Sequence, residues 1–291
     1  MEIRPLHPVF AAEIIGIDLR RPASAQLLER IEQAMNQYAV VAIRDQRIDD
    51  DQQLAFAAAM GPLEPTPAVV DGHLHRLKHK EMVDISNLDI DGAIIDTDDR
   101  RRMFGLGNLL WHSDSSFKAT PAKHSMLHAR VIPPVGGDTE FADMRAAWDA
   151  FPDSVKTTIE PMVCDHSLIY SRSLLGFDEY TPQEIEQFAP VPQRLVRRHA
   201  GSGRRSVYLS AHIGKVHGMQ RPEGMALIRE LTEQATQRQF VYAHLWRLHD
   251  LVIWDNRCTM HRARPFDDRK YKRDMRRMTL EDSAPTLEQP L

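Results

Sequence analysis

One short run in this chain has residue types and spacing suited to a metal site: Trp111-His112-Ser113-Asp114. On an extended segment, side chains two apart point to the same side, so His112 and Asp114 could present an imidazole and a carboxylate to one ion. Alone the pair says little, because the chain has 14 histidines and a surface His beside a turn Asp is the bland alternative. The rest of the pattern lies 149 residues further on. Leu251-Val252-Ile253-Trp254-Asp255-Asn256-Arg257 reads as a buried strand ending in a turn, with His261 just beyond it. Arg273 follows twelve residues later and Arg277 four after that, on the same side if the segment is a strand. Two histidines and a carboxylate on one face of a metal leave three positions open, the donor set of non-heme iron(II) oxygen chemistry. A 2-oxo acid would fill two of those positions as a chelate, and dioxygen the third.

The elements that must position these residues are partly legible. Ser24 caps a helix whose apolar side is Leu27, Leu28, Ile31, Met35 and Tyr38. Val40-Val41-Ala42-Ile43 reads as a buried strand, and Asp50 to Met60 as a second helix ended by Gly61-Pro62. From about 65 to 110 the pattern weakens, and the polar stretch Asp96 to Arg102 is expected to be a loop. Beyond it come strand-like runs at Ser125–Val131, Arg205–Leu209, Phe240–Trp246 and Leu251–Trp254. Helical segments are expected at Met144–Ala150 and Pro222–Thr236, the latter with Met225, Ile228, Leu231 and Ala235 on one face. Short strands with turn signals and outlying helices predict a mainly β fold with helical decoration, a jelly roll.

Composition bounds the function. With 291 residues, 42% hydrophobic and 27% charged, the chain is an ordinary globular one. No linker or repeat divides it, so residues 1–291 are expected to form a single domain. The net charge of −4 argues against nucleic acid or a membrane as the main partner. Eight Lys or Arg with three Asp between Arg262 and Arg277 read as a solvated face holding two functional arginines. Cys164 and Cys258, far apart, supply neither a disulfide framework nor a zinc ribbon. Cys258 reads as a small buried hydrophobe. No targeting or membrane-spanning stretch stands out, so the expectation is a complete, soluble, cytoplasmic protein.

Beyond these features the chain resembles the taurine / 2,4-dichlorophenoxyacetate dioxygenase family of iron(II)- and 2-oxoglutarate-dependent enzymes, over nearly its whole length. The likeness rests on Leu110-Trp111-His112-Ser113-Asp114-Ser115-Ser116-Phe117, Gly136-Gly137-Asp138-Thr139-Glu140-Phe141, Trp254-Asp255-Asn256-Arg257 leading to His261, and the Arg273/Arg277 pair. Asp84-Ile85-Ser86-Asn87, Asp143-Met144-Arg145-Ala146-Ala147 and His199-Ala200-Gly201-Ser202-Gly203-Arg204 look closest to the aryloxyacetate-cleaving branch. The family's fold, a double-stranded β-helix, agrees with the jelly roll.

That resemblance implies Fe(II) held by His112, Asp114 and His261. It implies 2-oxoglutarate as co-substrate, its distal carboxylate on Arg273 with a hydroxyl hydrogen bond from Thr139. Arg277 would grip the anionic end of a small substrate, Asn108 would contact ligands near the metal, and His199 and His212 are further candidates for substrate contact. Loop or edge histidines without a role are an equal alternative for the last two. A different register would put Lys272 or Arg276 in place of Arg273, although Arg276 would face the other side of a strand. The implied reaction hydroxylates the carbon beside the ether oxygen of an aryloxyacetate, yielding phenol, glyoxylate, succinate and carbon dioxide. Ascorbate is expected to stimulate it, and a homo-oligomer is expected. Leu106, Leu109, Leu110 and Phe104 are candidate walls for the aryl ring. The rivals are a taurine or alkylsulfonate dioxygenase releasing sulfite, a zinc hydrolase or non-oxygenase metal-binding β-helix protein, and a nucleic-acid binder.

Overall fold

In the computed structural model, which describes residues 1–65 and 76–291, the chain forms two facing, mainly antiparallel sheets with helices outside them. It begins with β1 (Glu2–Pro5), β2 (Ala12–Ile15), α1 (Ala25–Tyr38), β3 (Val40–Ile43), α2 (Asp50–Met60) and β4 (Met82–Ser86). Then come α3 (Arg100–Gly105), a 3-10 turn over Leu106–Leu109, β5 (Ala122–Val131), β6 (Thr139–Asp143), α4 (Met144–Ala150) and α5 (Asp153–Ile159). The middle holds β7 (Val163–His166), α6 (Leu168–Ser173), α7 (Pro182–Gln187), β8 (Val191–Arg194), β9 (Val196–Arg198), β10 (Arg205–Val207) and β11 (Ile213–Val216). After α8 (Arg221–Ala235), the chain closes with β12 (Val241–His244), β13 (Leu251–Asp255), β14 (Thr259–Ala263) and β15 (Asp274–Glu281).

The large sheet has the order β1-β2-β3-β13-β5-β15-β4, and facing it is the smaller sheet β12-β6-β14. This is the mainly β jelly roll with helical decoration that the strand pattern predicts. β13 is apolar along its whole length because it lies in the middle of the large sheet, between β3 and β5, with every residue buried. Phe10, Val40, Leu127, Phe141, Val252, Trp254 and Met275 fill the space between the sheets. A second core packs α1 and α2 on the outer face of the large sheet through Ile31, Met35, Phe56 and Met126.

Helix ends follow the local chemistry. Ser24 Oγ accepts the Leu27 N–H at 3.2 Å, and Ala39, in the left-handed region at φ 60°, closes α1. Asp49 and Gln52 form a reciprocal cap at the start of α2. The stretch Asp96 to Arg102 departs from expectation, since α3 begins at Arg100. No residue of that helix is buried, so it leaves no apolar periodicity to read. It is held instead by the Asp99 cap and by the Arg102–Asp268 ion pair at 2.9 Å. Of the weakly patterned region from 65 to 110, residues 66–75 lie outside the described residues.

Candidate metal centre

The ligand-type atoms of His112, Asp114 and His261 lie within 4.8 Å of one another, all three residues buried. The backbone brings them together. His261 is carried by β14, and His112 forms an isolated bridge to it, with His112 N–H to His261 O at 3.0 Å and His261 N–H to His112 O at 2.8 Å. The extended geometry predicted for the HxD run holds at His112, while the chain turns at Asp114. The side chains converge all the same: His112 Nε2 is 3.9 Å from Asp114 Oδ1, and His261 Nε2 is 3.7 Å from Asp114 Oδ2.

Each donor is prepared for a cation. His112 Nδ1 lies 2.8 Å from the Leu110 carbonyl, which fixes the N–H there and leaves the Nε2 lone pair facing the centre. Burial holds His112 below the usual imidazole range, and burial followed by the neighbouring His112 pushes His261 down to about 3, so both rings are neutral donors. Burial acts to raise the Asp114 carboxyl, but Arg277, His261, His112 and the Ser125 hydroxyl outweigh it and hold it well below the usual carboxylate range. Trp254 and Phe141 flank the His261 ring, with centroids at 4.8 and 6.0 Å. Two neutral imidazoles and an ionised carboxylate are a fitting donor set for a divalent ion.

Of the three candidate ligands, Asp114 has the most hydrogen-bonding support. Asn256 Oδ1 accepts its N–H at 3.0 Å, and Ser125 Oγ donates to its Oδ2 at 2.8 Å. Asn256 Nδ2 donates to Ser125 Oγ at 2.9 Å, and Trp254 Nε1 donates to Asn256 Oδ1 at 3.1 Å. Asn256 sits inside the quoted Trp254–Arg257 run, but nothing in its type or spacing distinguishes it from a turn residue. Ser125 is one more polar residue inside a strand and carries no signal of its own.

The two arginines, which their spacing predicts on one side of a strand, have different partners. Arg277, on β15, donates from Nη1 to Asp114 Oδ1 at 2.6 Å, and its Nε has no partner. Arg273 is fully desolvated beside Gly137, with Nη2 3.5 Å from the Gly137 carbonyl and Nε unpartnered; burial pulls it down to about 10. Thr139, two residues past Gly137, accepts the Trp246 indole N–H at 3.0 Å. The alternatives point elsewhere. Arg276 is ion-paired with Asp274, and Lys272 donates to the Gly92 carbonyl. Asn87 accepts the Arg273 N–H at 2.8 Å and donates to the Asp268 and Tyr271 carbonyls at 2.7 and 2.9 Å. It thereby fixes the loop that delivers Arg273.

The remaining candidates separate. His212 is buried with its ring edge-on to His112 at 6.1 Å and to Phe117 at 4.9 Å, its Nδ1 2.9 Å from Ser171 Oγ. His199 is committed elsewhere: Nε2 lies 3.0 Å from Asp255 Oδ2, and Nδ1 lies 2.8 Å from Ser202 Oγ. Asp255 also receives His124 and Arg257, so the grouping of His199, Asp255 and Cys258 is a saturated ion-pair network. Asn108 is half-buried on the 3-10 turn over Leu106–Leu109. Of the suggested wall residues, Phe104 carries the Arg172 guanidinium 4.6 Å above its ring.

A jelly roll with two histidines and a carboxylate between its sheets defines the class of metal-dependent oxygenases with three open coordination positions. Residues 2–279 match the model of the taurine catabolism dioxygenase TauD, TfdA family, and the chain belongs to that family. It is 45% identical over 280 residues, 96% of its length and 97% of the relative's, to the alpha-ketoglutarate-dependent 2,4-dichlorophenoxyacetate dioxygenase of Cupriavidus pinatubonensis. It is 36% identical over 276 residues, 91% of this chain and 90% of the relative, to the (S)-phenoxypropionate/alpha-ketoglutarate-dioxygenase of Sphingobium herbicidovorans. Among solved structures, AAD-2 in complex with Mn(II) and N-oxalylglycine superposes with a TM-score of 0.92 at 50% identity, over 99% of this chain and 100% of that one. Among the described residues no helix is long and apolar enough to cross a membrane.

Proposed function

We propose that this chain is an Fe(II)- and 2-oxoglutarate-dependent dioxygenase that cleaves aryloxyacetates such as 2,4-dichlorophenoxyacetate, with residues 1–291 acting as one catalytic domain in the cytoplasm. The observation that carries the reading is the pairing of the His112–Asp114–His261 centre with two separate arginines, Arg277 on the ligand carboxylate and Arg273 on the Gly137–Thr139 wall. A hydrolase built on the same donors would have no use for the second arginine.

His112, Asp114 and His261 would hold the iron. Bound iron with 2-oxoglutarate and oxygen supplies the oxidising chemistry, which converts the 2-oxo acid to succinate and carbon dioxide and adds one oxygen atom to a substrate C–H bond. Arg273 offers a planar donor for the distal carboxylate of 2-oxoglutarate, and Thr139, two residues past the Gly137 it approaches, would add a hydroxyl. Arg277 has a free Nε next to the Asp114 contact, so a substrate anion taken there is tied directly to the ligand set. His212 and Phe117 supply an aromatic edge next to His112 on which an aryl ring can lie. The hydroxylated product of an aryloxyacetate is a hemiacetal. Loss of its hydroxyl proton and departure of the aryloxide, which takes up a proton, give glyoxylate and a phenol without further catalysis. Relatives named for 2,4-dichlorophenoxyacetate and phenoxypropionate support an aryloxy substrate over an aminosulfonate.

The test offers 2,4-dichlorophenoxyacetate and taurine in parallel, in air, with Fe(II), ascorbate and 2-oxoglutarate. Phenol release that requires 2-oxoglutarate is the expected result. Sulfite release instead would overturn the substrate assignment, and absence of succinate from iron-loaded protein would overturn the reaction class.

A further inference from the structure

Arg172, on α6, is a buried cation that no acid among the described residues answers. It is 6% exposed, and among the described residues no carboxylate pairs with it. Asp114, the carboxylate whose charge acts on it, is already held by Arg277 and Ser125. Its Nη1 donates to Ser171 Oγ at 3.2 Å, while its Nε has no partner. The same Ser171 oxygen meets His212 Nδ1 at 2.9 Å, and the His212 ring lies edge-on to the ligand His112. Arg172 is therefore linked through two hydrogen bonds on Ser171 Oγ to His212, the residue that borders the metal site.

The surroundings are shaped to admit that guanidinium. Its Cζ lies over the Phe104 ring, 4.6 Å from the centroid. Gly107, on the 3-10 turn that leads into Trp111-His112, leaves the space it needs, since a Cβ there would overlap the guanidinium group. Phe177 packs edge-on to both Phe104 and Tyr180, closing an aromatic box behind it. A cation–π contact recovers only part of what a guanidinium loses on leaving water, so an unpaired buried arginine calls for an anion in the working state. With the distal carboxylate of 2-oxoglutarate assigned to Arg273 and its C1 carboxylate taken up by the metal as part of the chelate, the anion left to answer a further arginine is the carboxylate of the substrate.

We propose that Arg172, seated by Gly107 and Phe104, is a substrate-binding residue that holds the aryloxyacetate carboxylate together with Arg277, on the His212 side of the metal. The assignment rests on the aryloxyacetate reading above. Two arginines on one carboxylate make the site selective for acids over neutral aryl ethers of the same shape.

The experiment is titration calorimetry of protein loaded with Mn(II) and N-oxalylglycine, which does not turn over. The probes are 2,4-dichlorophenoxyacetate and its neutral amide, alongside the KM for 2-oxoglutarate in the iron enzyme. Arg172→Gln is expected to weaken binding of the acid roughly 10- to 100-fold, while binding of the amide and the KM for 2-oxoglutarate stay within about twofold. Equal losses for acid and amide, or a rise confined to 2-oxoglutarate, overturn the assignment. If Arg172→Gln does not fold, Gly107→Ala keeps the charge but displaces the guanidinium and must show the same acid-selective loss; unchanged binding of the acid there also overturns it. Wild-type protein that binds no aryloxyacetate would overturn the functional reading itself, whereas a binding wild type with an equally tight variant removes Arg172 alone.

Discussion

Asn256 grips Asp114 from both ends: its Oδ1 accepts the Asp114 N–H at 3.0 Å, and its Nδ2 reaches the Asp114 carboxylate through Ser125 Oγ. A ligand carboxylate held this way keeps its orientation before any ion arrives. Losing such support in metal sites costs about 10- to 100-fold in affinity. Asn256→Ala is therefore expected to weaken Mn(II) or Fe(II) binding by that factor, measured by metal titration of the stripped protein. Ser125→Ala should give a smaller loss, because the backbone half of the grip survives. Unchanged affinity in Asn256→Ala would show that Arg277 and Ser125 orient Asp114 without Asn256.

Arg273 carries the co-substrate prediction. A charged hydrogen-bonding partner lost from a buried site costs about 1.5–3 kcal/mol, roughly 10- to 150-fold in affinity. Arg273→Gln should raise the KM for 2-oxoglutarate by that factor and leave aryloxyacetate binding nearly unchanged. Asn87→Ala should move the same constant in the same direction, but less, since it loosens the loop without removing the charge. A rise confined to the aryloxyacetate constant would reverse the roles given to the two arginines.

The aromatic support of His261 makes a stability prediction. Phe141 is fully buried between the sheets and stacks on His261. Phe141→Ala should cost about 3–5 kcal/mol in urea unfolding, the usual range for emptying a core aromatic site. Phe141→Leu should recover most of that stability. Metal affinity should remain below wild type in both, because the ring that fixes the imidazole plane is gone.

A pH effect follows from histidines away from the centre. Burial, then Arg130, holds His128 down to about 4, and its Nε2 lies 2.6 Å from the Gln46 carbonyl. Between that value and the unfolded value near 6.5, the unfolded chain binds a proton that the native chain refuses, so stability rises with pH across the window and is lost as pH falls through it. The expected slope from this group is up to about 1.4 kcal/mol per pH unit. His128→Gln should flatten the urea midpoint between pH 4 and 6.5 by that amount, while the wild type keeps its slope.

Much of this was legible in the residues, for definite reasons. The continuous apolar run at 251–254 and the β-branched run at 40–43 mark strands of the large sheet, because only a strand buried on both faces tolerates such runs. The HxD pair and the later His261 are visible because ligand chemistry restricts residue type. Asn256, Ser125 and Arg172 were not visible, because their roles depend on which side chains meet across the fold. Nothing local separates a buried arginine from the exposed arginines at 198 and 205. The helix beginning at Arg100 was hidden for a related reason: it is stabilised by capping and charge pairing and has no apolar face to reveal it.

The backbone clip between His112 and His261 ties together residues 149 positions apart and lies where the HxD segment meets the smaller sheet. The three candidate donors stand together only while this bridge is formed. Competence to hold an ion therefore arrives only when the HxD segment and the smaller sheet have docked, and it vanishes when they part. An ion bound there adds its binding free energy to the native state alone and acts as a rivet across that seam. Metal supply would then set how long a molecule stays closed against proteolysis as well as how fast it turns over, so starvation for the metal would thin the pool of enzyme along with its activity.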